Sequence, residues 1–88
     1  MKIRIIRISP RFEKHYQRHP KEIKEKAEKR EKIFRENPFH PLLDTHKLSG
    51  KEKECWAFDI DRTYRIKFIF LLDGEVLFLD VGTHKIYK

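Results

Sequence analysis

Asp73-Gly74 stands between two long apolar runs, and that arrangement constrains the chain more than any other feature. An aspartate-glycine pair supplies the two positive-φ positions of a tight hairpin turn. Before it, residues 63–71 set Tyr64, Ile66, Phe68 and Phe70 against Arg65, Lys67, Ile69 and Leu71, a strand with two unlike faces. After it, Val76, Leu77, Phe78, Leu79 and Val81 read as a strand buried on both faces. Upstream, residues 55–60 place Trp56, Phe58 and Ile60 on one side, and the DIDRT stretch around Asp61 predicts a second hairpin. The C-terminal part is therefore an antiparallel β-meander.

The rest supplies its cover. Residues 2–9, KIRIIRIS, predict a first strand. Ser9 followed by Pro10 is a helix start: a hydroxyl to cap, then a proline where no amide hydrogen is needed. That helix carries Phe12 and Tyr16 on one face and ends near His19-Pro20. Pro20 opens a second helix whose apolar stripe is Ile23, Ala27, Ile33 and Phe34. Its remaining surface is charged, with Glu22/Lys26, Glu25/Lys29 and Glu28/Lys32 spaced for ion pairs worth about 0.2–0.5 kcal/mol each. Residues 36–54 read as a connector broken by two prolines and a glycine and pinned by Leu42, Leu43 and Leu48. Strand, helical hairpin and meander make an α+β fold, with both helices on one face of a single sheet. With 88 residues, the chain is one domain, 1–88.

Charge narrows the partners. The net charge is +7, and residues 1–19 hold six Lys/Arg against one acid. A basic small domain suits a polyanion, although a charged surface also serves solubility. The Lys/Glu-rich composition is one that heat adaptation produces. One cysteine, Cys55, allows no internal disulfide and suits a reducing compartment. The N-terminal apolar run is interrupted by charges, which argues against a signal peptide or membrane span. A cytoplasmic protein is the expectation.

No metal or cofactor is expected. His15 and His19 stand four apart on a helix without a third ligand and are expected on the surface. His40 and His46 flank Leu42-Leu43 without a cysteine pair. The chain has neither a glycine-rich phosphate loop nor a serine elbow. What it does have is a set of groups suited to phosphate. Arg65 lies mid-strand, opposite in face to Tyr64, where it pairs with Asp59 or Asp80 or else forks onto a phosphate. Gly82 ends the last strand, and His84 and Tyr87 follow it. His46 lies in the connector, and Lys51 and Lys53 form a basic loop. Metal-free RNA cleavage needs a base for the 2′-hydroxyl, an acid for the 5′-oxygen and positive charge at the phosphate. Imidazole can perform either proton task.

The ordered set His46-Lys47-Leu48-x-Gly50, Trp56, Tyr64-Arg65-Ile66, the Asp-Gly hairpin and Asp80-Val81-Gly82-Thr83-His84 resembles the RelE/ParE toxin superfamily. It is most similar to the YafQ and plasmid-stabilisation branch, over essentially the whole chain. The resemblance implies the toxin of a type II toxin–antitoxin module, many of which cut mRNA in the ribosomal A site. It implies catalytic roles for Arg65 at the scissile phosphate, for His84 and His46 in proton transfer, and for Tyr87 as the C-terminal aromatic. It also implies RNA contacts from Lys51 and Lys53 and from Arg4, Arg7 and Arg11 on the basic first strand and helix. The partners it implies are an acidic antitoxin, the ribosome and mRNA, with DNA reached only through the antitoxin complex. The chain departs from the family at Ala57 and Asp59, where RelE has lysines, and at Asp80, where YafQ-like proteins have an arginine. Two alternatives therefore stand beside the nuclease: a ParE-like gyrase inhibitor and a decayed toxin that only binds its antitoxin.

Overall fold

The computed structural model describes residues 1–50 and 54–87. In chain order it contains β1 (Ile5–Ile8), α1 (Pro10–Arg18), α2 (Lys21–Glu36), a 3-10 turn (Pro41–Leu43), β2 (His46–Lys47), β3 (Trp56–Asp59), β4 (Arg65–Phe70), β5 (Glu75–Gly82) and a terminal 3-10 turn (His84–Tyr87). The strands form one sheet in the order β1-β5-β4-β3-β2. β2 to β5 pair antiparallel, as the meander requires, and β1 pairs parallel to β5. β5 is thus interior, which explains its unbroken apolar run. The short strand β2 lies in what the sequence suggested was only a connector.

The turn chemistry behaves as expected. Asp73 and Gly74 take φ of 58° and 74°, the left-handed pair that a type I′ hairpin needs. The Gly74 carbonyl also accepts from the Arg4 amide at 2.7 Å, fastening the start of β1 to the hairpin tip. Asp61 accepts the Thr63 and Tyr64 amides at 2.8 Å each, which closes the second hairpin. Ser9 caps α1 by accepting from the Phe12 amide at 3.1 Å. The same hydroxyl donates to the Leu79 carbonyl at 2.9 Å. Leu79 is the extra residue of a bulge, because Lys67 faces Asp80 while Phe68 faces Phe78. One serine therefore starts the helix and docks it on the irregular point of β5.

Both helices cover one face. Phe34 is fully buried and meets Phe58, Phe68 and Phe78 at centroid separations of 4.6, 5.0 and 5.7 Å. Ile23, Ala27 and Phe34 of the expected stripe are buried, and Ile33 packs against them half-covered. The three ion pairs expected along α2 are not the ones formed. Lys26 reaches Asp61 at 3.3 Å, and the pairs along the helix are Lys21–Glu25 and Glu31–Arg35. A partner fixed by its own turn costs Lys26 less ordering than a second mobile side chain would. Among the described residues no helix is long and apolar enough to cross a membrane.

Candidate functional site

The second face of the sheet carries the polar groups. Residues in register share a face, so β-pairing places His46, Ala57, Lys67 and Asp80 in one row across four strands. The next row holds Asp59, Arg65 and Gly82. Alternation along β4 makes this possible: Ile66 and Phe68 go to the core, which sends Arg65 and Lys67 the other way.

The terminal 3-10 turn folds back over this face. Gly82 is what lets it approach: a Cβ built there would lie 2.8 Å from Ile86 Cγ2. Lys67 Nζ donates to the Ile86 carbonyl at 3.1 Å and holds the turn down. That places Tyr87 against His46, with its hydroxyl 3.5 Å from Nε2. The tautomer follows from the surroundings. His46 Nδ1 lies 2.8 Å from the Asp44 carbonyl oxygen, which can only accept. In the neutral ring Nδ1 therefore carries the hydrogen, and Nε2 is left as an acceptor for the tyrosine hydroxyl. Tyr87 in turn lies beside Arg65. Burial, together with the Asp59 and Asp44 carboxylates, pushes the phenol above its usual value against the pull of Arg65, so Tyr87 is neutral.

Arg65 is divided among several partners. Its Nε stands 3.2 Å from Asp59 Oδ1, its Nη1 donates to the Thr63 carbonyl at 3.4 Å, and the Tyr87 hydroxyl lies against it. Asp59 is poorly served by comparison. Its Oδ1 is buried and receives no hydrogen bond, because the Arg65 N–H is near but not aimed at it. Burial raises the Asp59 carboxyl above its usual range, and the attraction of Arg65 only partly offsets this. Of the two acids the sequence offered to Arg65, Asp59 is the one used. Asp80 is turned to His15, whose Nδ1 lies 2.6 Å from its Oδ1, and to its own Val81 amide. His15 is accordingly half-buried and engaged, which corrects its expected place on the open surface.

The remaining predicted residues are not in the Arg65–Tyr87–His46 contact set. His84 is exposed at the first position of the terminal turn, two residues beyond the glycine paired with Arg65. Arg4, just before β1, and Arg7, on β1, lie at the opposite edge of the sheet from His46, and both bond Glu75, at 3.0 and 2.9 Å. Arg11 is exposed on α1. Lys51 and Lys53 fall outside the described residues. Among the described residues no group of three metal-ligating side chains is gathered that could hold an ion. Asp44 was absent from the sequence-derived roles, and Asp59 was named there only as a partner for Arg65.

Solved structures share this architecture. The YoeB/ParE toxin from Agrobacterium tumefaciens superposes with a TM-score of 0.76 at 19% identity, covering 96% of this chain and 99% of its own. The chain has the RelE/YafQ toxin fold. RelE in the archaeal RelE–RelB complex from Pyrococcus horikoshii gives 0.72 at 20% identity, over 94% of this chain and 96% of its own. YafQ from E. coli gives 0.68 at 21%, over 92% and 93%. Identities this low carry the fold and leave the chemistry to the residues. No protein-family model matches the sequence, and no curated protein does. Within the RelE/YafQ toxin fold, the sheet face opposite the helices is where this chain gathers arginine, histidine and tyrosine.

Proposed function

We propose that the protein is the toxin of a type II toxin–antitoxin module and acts as a metal-independent, ribosome-dependent mRNA endoribonuclease. The observation that carries this reading is the convergence of Arg65, Tyr87 and His46 on the sheet face opposite the helices, from three elements far apart in the chain. Arg65 provides fixed positive charge for the phosphorane, where stabilisation counts most. His46 Nε2 is the acceptor that removes the 2′-hydroxyl proton as the 2′-oxygen attacks phosphorus. Asp44 and Tyr87 set the ring's tautomer and orientation from either side. The 5′-oxygen leaves with a proton from His84 at the exposed end of the terminal turn, giving a 2′,3′-cyclic phosphate and a 5′-hydroxyl. Arg4, Arg7 and Arg11 hold ribosomal RNA through phosphates and bind more weakly as salt rises. Lys51 and Lys53 belong to the same grip.

The partner that silences such a toxin is an acidic, partly helical antitoxin that wraps the basic surface. In support, the P. horikoshii RelE structure is a complex with RelB, and E. coli YafQ has been solved in complex with DinJ. A specific observation also favours a second reading. Asp59 already occupies Arg65, as it could in a toxin that has lost cleavage and retains only binding.

Primer extension on mRNA after induction separates these readings. The expected result is new 5′ ends that require active ribosomes and disappear with Arg65→Ala and His46→Ala. Growth arrest with intact mRNA and altered DNA supercoiling would instead assign a gyrase inhibitor. No growth effect from wild type would assign the binding-only protein.

A further inference from the structure

We infer that Asp59 is a built-in competitor for the substrate phosphate: its carboxylate occupies the Arg65 guanidinium and must yield, by turning away or taking up a proton, before an anion can bind there. This rests on the site described above and adds a control that the site's other residues do not supply.

Three observations support it. First, Asp59 and Arg65 face each other in register across β3 and β4, so the acid stands where a phosphate on Arg65 would have to lie. Second, the contact is close without being a good bond. A buried Oδ1 with no aimed donor is costly to keep ionised, so the latch is easily opened. Third, the neighbouring acid on the same face is treated differently. Asp80 receives a bond from its own Val81 amide and lies against His15, and nothing in its surroundings competes for Arg65.

The groups facing Asp59 come from every element around it. Arg65 lies on β4, His46 on β2, Asp44 just before it, Arg30 on α2 and Tyr87 on the terminal turn, and Asp61 and Arg62 of the β3–β4 turn line the same cavity as Asp59. Two arginines and an imidazole favour the carboxylate and one acid opposes it, yet burial raises its proton affinity overall. The site therefore exchanges one anion for another. A protonated Asp59 ceases to repel phosphate and can donate a hydrogen bond to it. Asp59 thus sets the pH at which the arginine becomes available.

The test uses a 2′-O-methylated RNA trinucleotide, which cannot be cleaved, titrated into the full chain and followed by NMR of the arginine Nε–H groups. At pH 7 Asp59→Asn is expected to tighten binding about tenfold. As the pH falls through the raised range of the Asp59 carboxyl, wild type is expected to approach the variant until the two curves meet. The comparison isolates Asp59, because His46 is common to both proteins. The wild-type pH series also tests the idea without reliance on any variant's folding. Equal or weaker binding by Asp59→Asn, with binding lost in Arg65→Ala, would overturn the competitor and leave the site standing. Undiminished binding by the Arg65→Ala/Asp59→Asn double variant would place the anion elsewhere and overturn both.

Discussion

Two carboxylates in this sheet bind arginine, and they do so in opposite ways. Glu75, at the β1 edge, receives Arg7 Nε at 2.9 Å and Arg4 Nη2 at 3.0 Å. The hydrogen bond from Arg7 leads the influences that hold its carboxyl below the usual range. Asp59, on β3 towards the opposite edge, has a share of one guanidinium, and desolvation of its half-buried carboxyl raises it. The first site has two cations for one acid and clamps a hairpin to an edge strand. The second has one cation divided among an acid, a carbonyl and a phenol. The same residue types make a fastening where two guanidiniums close on one carboxylate and a poised site where one guanidinium is shared.

The comparison breaks most visibly in function. Arg65→Ala is expected to lower cleavage on programmed ribosomes by at least about 100-fold, the scale for removing a group that stabilises transition-state charge. Arg7→Ala should change it only a few-fold and make binding less salt-dependent, as loss of one phosphate contact does. Equal losses from both would mean that the two arginines do the same work, which the proposed site does not allow.

The next effect concerns the turn that completes the poised site. Gly82→Val places carbon where Ile86 Cγ2 already lies. Overpacking of this kind costs about 1–3 kcal/mol, and lifting the turn separates Tyr87 from His46. Denaturant unfolding should register the first effect, and loss of the Tyr87–His46 coupling in NMR spectra the second. Retained coupling with a full loss of stability would show that the strain is absorbed elsewhere. A smaller loss is expected at Ser9→Ala, about 1 kcal/mol for the cap. The bond to Leu79 is removed with it, so Ser9→Thr, which keeps the hydroxyl, should recover most of it.

The fold was legible in the sequence because its signals are local. Asp73-Gly74, Ser9-Pro10 and the two-faced pattern of residues 63–71 each specify their own element, and the elements agree. What was not legible needed distance information. Nothing in the alternation of β5 announced the bulge at Leu79. That bulge lets Asp80 face Lys67 in register while its carboxylate meets His15, so a helix histidine taken for a surface residue has a partner 65 positions away. Of the proposed catalytic residues, Arg65 could be seen as unusual from its strand alone. The His46–Tyr87 contact depends on a terminal turn folding back over Gly82, which a basic tail of a few residues does not advertise. The i,i+4 pairs of α2 failed for a related reason: Asp61 is fixed by its own turn and offers Lys26 a partner that sequence spacing cannot reveal.

The smallest expected effect is the sharpest on the comparison, because its two halves differ in sign. A carboxyl held below its usual value binds protons less readily in the folded than in the unfolded chain. Glu75 therefore stabilises the fold above the ordinary carboxylate range, and this is lost as the pH falls through its lowered value. A carboxyl raised above its usual value does the reverse. Asp59 costs the fold stability as the pH rises from the ordinary range through its raised value. At neutral pH Glu75→Gln should thus lower stability, and Asp59→Asn should raise it, by about 1 kcal/mol or less for a half-buried, screened carboxyl. Each variant should rejoin wild type in acid, where the carboxyls are protonated in both states. Urea unfolding between pH 3 and 7.5 reads both. If Asp59→Asn destabilised the protein at neutral pH, the Arg65 ion pair would outweigh burial, and the two arginine sites would be fastenings of one kind.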